Sequence, residues 1–145
     1  MKKQKRNSNG VKIEINNQTK HKIDLRLVEK VVKVFAQAYK INKNKEISLA
    51  FVGDTEIKKL NKSYRGFNKA TDILSFSGDG DCLGEIVISY NQIKRQAVSF
   101  KNSAKKELIF ILVHGLLHLI GYEDETDKER EEMIKLGEKF IKNYL

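Results

Sequence analysis

The sequence predicts a single α+β domain: about four strands in a mixed sheet, packed with about five helices, with a metal site on a central helix. Three observations carry that prediction. Apolar residues alternate in some segments and recur at helical spacing in others. Two strand-like segments follow one another across a turn rich in glycine and aspartate. The most apolar stretch of the chain contains two histidines four residues apart. A chain of 145 residues is long enough for one domain with a substantial core and too short for two ordinary ones.

Met1 to Gly10 is polar and basic, with Lys2, Lys3, Lys5 and Arg6, and reads as a disordered tail able to make a loose phosphate contact. The domain is expected over residues 11–145. Val11, Ile13 and Ile15 alternate with polar residues, the period of a half-buried strand. Asp24 is placed to cap a helix whose apolar positions are Leu25, Val28, Val31, Val32, Phe35 and Tyr39. Glu46 to Val52 reads as a second strand, closed by Gly53-Asp54, with Ile57 and Leu60 on a short helix beyond it. A loop after Arg65 leads to a third strand ending at Phe76.

Ser77 to Gly84 has turn composition. Its aspartates invite a calcium reading, but the register and distal glutamate of a calcium-binding loop are absent. Glu85 to Ser89 is a fourth strand, and Asn91 to Phe100 a short helix whose Lys94 and Arg95 face either solvent or a polyanion. Asn102 or Ser103 caps the next, very apolar helix, with Glu107 one turn in. Thr126-Asp127-Lys128-Glu129 is a capping-box signature ahead of Met133, Ile134, Leu136, Phe140 and Ile141, an amphipathic last helix. The order is β-α-β-α-β-β-α-α-α.

Composition narrows the function classes. Forty per cent hydrophobic and 32% charged residues fit a soluble globular chain and argue against disorder. Twenty-eight Lys and Arg against nineteen Asp and Glu give a net charge of +9, which favours a polyanionic partner and binding that weakens with salt. Cys82 is the only cysteine, an ordinary free thiol in a loop, so no intramolecular disulfide forms and a reducing interior suits the chain. The longest apolar window, Leu108 to Gly121, is shorter than the roughly 18 residues of a membrane helix, and no apolar segment follows the basic N-terminus. The expectation is a cytoplasmic protein with no membrane partner.

Chemistry concentrates in His114-Gly115-Leu116-Leu117-His118-Leu119-Ile120-Gly121-Tyr122-Glu123-Asp124. Residues four apart on a helix lie about 40° apart around it and about 6 Å along it, so the imidazoles of His114 and His118 can aim at one point. Gly121 can end the helix in the left-handed conformation and let the chain return, bringing Asp124 to the same point. Two nitrogens and a carboxylate oxygen leave a fourth position open, the arrangement of a catalytic zinc site. The expected ligands are therefore His114, His118 and Asp124. The spacing is similar to that of the metzincin proteases, which place a glutamate directly after the first histidine as general base. Here that position is Gly115, so a peptidase loses its base.

This segment resembles the signature HGxLHLxGYDH of the YbeY-type endoribonucleases, bacterial rRNA maturation factors. Glu123 stands for the family's aspartate, and Asp124 for its usual third histidine. An aspartate is a harder, negatively charged ligand, which widens the candidates from Zn2+ to other divalent ions. The resemblance continues in Leu60-Asn61-Lys62-Ser63-Tyr64-Arg65 (family LNxxYR), in Thr71 to Phe76 (family TDVLSFP, with Ser77 for the proline), and in Gly84 to Ser89 (family GDIVIS).

The resemblance implies a zinc-dependent endoribonuclease preferring single-stranded RNA and acting in 16S rRNA 3'-end maturation and ribosome quality control. It also implies rRNA and the small ribosomal subunit as partners, with no DNA. His114 and His118 then serve catalysis through the metal. Arg65 is the further catalytic and substrate-binding candidate, because a guanidinium grips phosphate bidentately; read on residue type alone, it is as easily a surface ion pair. Asp72 more simply fixes its loop by accepting backbone hydrogen bonds. Two other functions fit parts of the pattern: a zinc-stabilised assembly factor that holds rRNA or a ribosomal protein without cutting, and, against the evidence of Gly115, a metallopeptidase.

Overall fold

In a computed structural model, which describes residues 2–6 and 10–145, the elements run β1 (Lys2–Arg6), β2 (Lys12–Asn17), α1 (Leu25–Ala38), β3 (Glu46–Val52), α2 (Asp54–Arg65), β4 (Ile73–Ser77), β5 (Cys82–Ser89), α3 (Tyr90–Ser99), α4 (Ala104–Leu119) and α5 (Asp127–Tyr144). The sheet order is β1-β2-β3-β5-β4. β2, β3 and β5 are parallel, and β1 and β4 pair antiparallel at the two edges, which makes the sheet mixed. The α+β domain with five helices and four expected strands is present. A fifth strand is added.

That fifth strand corrects the reading of residues 1–10 as a disordered tail. Lys2–Arg6 pairs with Arg6 opposite Ile13 and Lys2 opposite Asn17. A run of lysine and arginine has no apolar alternation to announce it, yet backbone pairing to β2 needs none, and such charge suits an edge strand. Residues 1 and 7–9 lie outside the described residues. Cys82, expected in a loop, begins β5 as a half-buried free thiol.

Alternation along the strands sorts side chains onto two faces of the sheet. Ile47, Leu49 and Phe51 of β3, Ile86 and Ile88 of β5 and Ile73 of β4 join the main core with α1, α4 and α5. Val52, Leu74, Phe76 and Val87 join a smaller cluster around Ile57 and Leu60 of α2. The sheet is thus covered by α1, α4 and α5 on one face and by α2 on the other. α4 lies at the centre of the first layer, touching α1, α3, α5, β4 and β5.

The caps fall where the side chains predict them. Asp24 accepts from Leu27 N at 3.1 Å, Ser103 rather than Asn102 accepts from Lys106 N at 3.1 Å, and Thr126 and Glu129 form the reciprocal capping box. Among the described residues, no helix is long and apolar enough to cross a membrane.

Candidate metal centre

α4 packs directly on β4, and Gly115 lies at the contact. A Cβ placed there would lie 2.4 Å from Ile73 Cδ1 and 3.2 Å from Ser75 Oγ. Ser75 instead donates to the Gly115 carbonyl at 3.2 Å. The residue that deprives a peptidase of its glutamate is therefore also the point where the helix rests on the sheet edge. His114 and His118, on the flank of that contact, are turned toward open space beyond β4.

The helix ends as its sequence predicts. Gly121 takes φ +108°, its N–H bonds the His118 carbonyl at 3.0 Å, and Tyr122 N bonds the Leu117 carbonyl at 3.1 Å. This paired closure satisfies two of the last carbonyls of α4 and reverses the chain. Asp124 is thereby returned to the histidines, with Oδ2 at 3.0 Å from His114 Nε2 and 3.4 Å from His118 Nε2. The three half-buried side chains each offer one donor atom, and all three atoms lie within 4.8 Å of one another.

Two features show that this donor set fits a divalent ion. Zinc holds N and O ligands at about 2.0–2.2 Å, which at a tetrahedral angle puts donor atoms about 3.4 Å apart, close to the spacing of these. His118 Nδ1 lies 3.0 Å from the Tyr122 carbonyl, which can only accept, so the ring proton is on Nδ1. In the neutral imidazole Nε2, 3.4 Å from Asp124 Oδ2, then carries the lone pair that a metal ion takes. A backbone carbonyl orienting a ligating imidazole is a recurrent outer-shell arrangement. Burial pushes the Asp124 carboxyl up, but in the metal-free site the hydrogen bond from His114, the charges of the two imidazoles when protonated and the hydrogen bond from His118 outweigh it and hold the group below its ordinary value. Asp124 is accordingly a carboxylate, the form that ligates.

The triad lies in a groove of about 750 Å³ that follows the free edge of β4. One wall is α4 with residues 121–124, and the other is the end of α2, where Tyr64 and Arg65 line the same space. Arg65 makes no ion pair among the described residues; its guanidinium lies 5.6 Å from the centroid of the Phe67 ring. Asp72 lines the groove as well, but its carboxylate takes side-chain donors, Gln96 Nε2 at 3.2 Å and Thr71 Oγ1 at 3.4 Å, in place of the expected backbone ones. Arg130 of α5, which the sequence analysis did not single out, is a second groove cation, held to Asp127 at 3.1 Å. Its spacing from the capping box gave no sign of that. His21, the third histidine, is elsewhere, with Nε2 2.6 Å from Asn91 Oδ1.

Comparisons with known proteins identify the family. The family described as Endoribonuclease YbeY matches residues 12–145. The endoribonuclease YbeY of Desulforamulus reducens is 41% identical over 120 residues, covering 75% of this chain and 78% of that protein. That of Phytoplasma australiense is 37% identical over 140 residues, covering 91% and 94%. The solution structure of TM1509 from Thermotoga maritima superposes with a TM-score of 0.63 at 30% identity, over 90% of this chain and 87% of that one. With a match that runs from β2 to the last residue, and relatives at this identity over most of their length, the chain belongs to the YbeY endoribonuclease family.

Proposed function

We propose that this protein is a metal-dependent endoribonuclease that cuts single-stranded RNA in the groove along β4, and that it acts in maturation of the 3' end of 16S rRNA and in ribosome quality control. The observation that carries the reading is the convergence of His114, His118 and Asp124 on one point in an open groove, in a chain of a family named for endoribonuclease activity. The +9 net charge supports a polyanionic substrate. Zinc is the ion the donor set suits best, and the hard oxygen of Asp124 admits other divalent ions. A cytoplasmic setting and the small ribosomal subunit as partner belong to the same proposal.

A divalent ion bound by the triad supplies Lewis acidity toward water and toward a phosphodiester oxygen. The residues of the chain do the rest. Tyr122 fixes the tautomer of His118, and Asp124 completes the ligand set from the bend after α4. Arg65, free of any carboxylate among the described residues, is placed to take two phosphate oxygens and to offset charge as the phosphorus centre gains it. Gly115 carries no side chain, so the proton of the attacking water passes to Glu123, which lines the groove beside the triad, or to the substrate.

The test is cleavage of an end-labelled single-stranded RNA by purified protein of measured metal content, with and without chelator. Cutting that stops on chelation and returns with added Zn2+ is expected. Metal-loaded protein that binds the RNA and never cuts it would replace this reading with an assembly factor that only holds rRNA.

A further inference from the structure

The segment that brings Tyr64 and Arg65 to the groove has a composition of its own. Residues 58–69 contain Lys58, Lys59, Lys62, Arg65 and Lys69 and no acidic residue. All five cations are exposed, and none pairs with a carboxylate among the described residues. Lys58, Lys62 and Arg65 fall on one stripe of α2, at helical spacing, and the stripe ends at the groove. Two large aromatic rings stand among these charges, both mostly in solvent: Tyr64 is 68% exposed and Phe67 50%.

The backbone that carries the rings is tied in place. Tyr64 meets Phe76 of β4 edge to face at 5.0 Å, so one ring edge is anchored to the sheet. Gly66, at φ +77°, ends α2 and turns the chain so that Phe67 N reaches back to the Asn61 carbonyl. The fully buried Asn61 donates through Nδ2 to the Lys69 carbonyl at 2.9 Å, and Lys69 N bonds the Phe67 carbonyl at 2.9 Å. The loop is thus clamped at its start and its end. Arg65 and Lys69 bring cations to 5.6 and 5.7 Å from the Phe67 ring centre. Aromatic rings interleaved with unpaired cations are the composition that binds single-stranded nucleic acid, rings stacking on bases while cations track phosphates.

We infer that Tyr64 and Phe67 form a base-stacking subsite for single-stranded RNA, at the α2 end of the groove, which receives nucleobases on the side of the scissile phosphate opposite the metal triad. The inference rests on the endoribonuclease reading and adds what that reading lacks, a reason for single-strand preference: only unpaired bases can lie on the two rings. The subsite contributes binding and placement; it contacts no reacting atom.

The experiment uses the metal-loaded full chain and a labelled 12-nucleotide single-stranded RNA, alongside the same backbone carrying abasic sites. Phe67→Ala and Tyr64→Ala are each expected to raise KM and Kd by about 5- to 150-fold, the range one stacked base is worth, with kcat and metal content unchanged. The abasic strand is expected to bind wild-type protein and both variants alike. Phe67→Trp supplies a spectroscopic probe, because the chain has no tryptophan. Its emission is expected to be quenched by the base-bearing strand and not by the abasic one. If wild-type protein cuts RNA while both alanine variants keep their KM and the introduced tryptophan stays unquenched, the subsite is overturned and the endoribonuclease reading stands. If wild-type protein neither binds nor cuts single-stranded RNA, the endoribonuclease reading falls and the subsite with it.

Discussion

The groove has two walls built on opposite principles. On one side α4 buries nine of its sixteen residues, among them Leu108, Ile111, Leu112, Leu116 and Leu117. On the other, α2 buries only Ile57 and Asn61 of twelve. At about 1.5–3 kcal/mol for each fully buried large apolar side chain, the metal wall is fixed by packing from all sides, whereas the α2 wall depends on one isoleucine, a partly buried Leu60 and polar ties. Metal ligands need sub-ångström placement. The α2 wall, in the role proposed for it, grips a flexible polyanion, which needs exposed charge more than fixed geometry.

The comparison breaks most visibly at the metal wall. His114→Ala or His118→Ala should lower metal affinity by at least about 10²-fold, beyond what loss of an outer-shell partner costs, and RNA cleavage should fall with it while the circular dichroism of the fold persists. Metal analysis after dialysis and a cleavage assay on the same sample check this. Arg65→Ala strikes the other wall. Cleavage should fall by about 10²–10³-fold at unchanged metal content, as for loss of one group that stabilises developing charge, and Arg65→Lys should recover part of the rate as a point charge without the bidentate fork. If Arg65→Ala turns RNA over at the wild-type rate, α2 has no part in the chemistry.

The same contrast explains what could be read in advance. His114, His118, Gly121 and Asp124 lie within eleven residues, and local helix geometry alone brings them together, so the convergence of the two histidines and the aspartate was legible from spacing. The capping residues Asp24, Ser103 and Thr126 were legible for the same reason. Arg65 is 49 residues from His114, and the two walls meet only because β4 is an edge strand with α2 on one face of the sheet and α4 on the other. Strand order is a tertiary fact with no signature in residues 60–65. β1 was invisible because it pairs through its backbone, and Arg130 because one charge among many on α5 does not declare which faces a groove.

Gly115 joins the two levels, since it looked like a missing base and is a packing requirement. Gly115→Ala should destabilise the fold by about 1–3 kcal/mol, because the new methyl must displace Ile73 Cδ1. Urea unfolding measures it. Ile73→Val removes that carbon in advance, so in its background the alanine should cost less, and the difference between the two backgrounds is the coupling. Equal costs in both would mean that the helix does not rest on β4 at this point.

The smallest expected effect concerns how the α2 wall is tethered. Asp54, in the first turn of α2, accepts from Arg95 Nη2 and Ser89 Oγ, each at 2.9 Å, which ties the helix to α3 and to the end of β5. The hydrogen bond from Arg95 pulls the Asp54 carboxyl below its ordinary value; burial opposes this, and the Ser89 hydroxyl and the Arg95 charge add to it. A carboxyl depressed in the folded state contributes stability that is fully present above its unfolded pKa, near about 3.9, and is lost as pH falls through the lower folded value. Exposed pairs of this kind are worth about 0.2–1 kcal/mol, so wild-type protein should exceed Asp54→Asn by no more than that at pH 7, and the gap should narrow in urea melts as pH falls below about 3.9. Hydrogen exchange should show where the loss falls: α2 amides of Asp54→Asn opening faster at pH 7, those of α4 unchanged. Equal acceleration in both helices would mean that the two walls are one cooperative unit, and that the division between a packed wall and a tethered one does not hold.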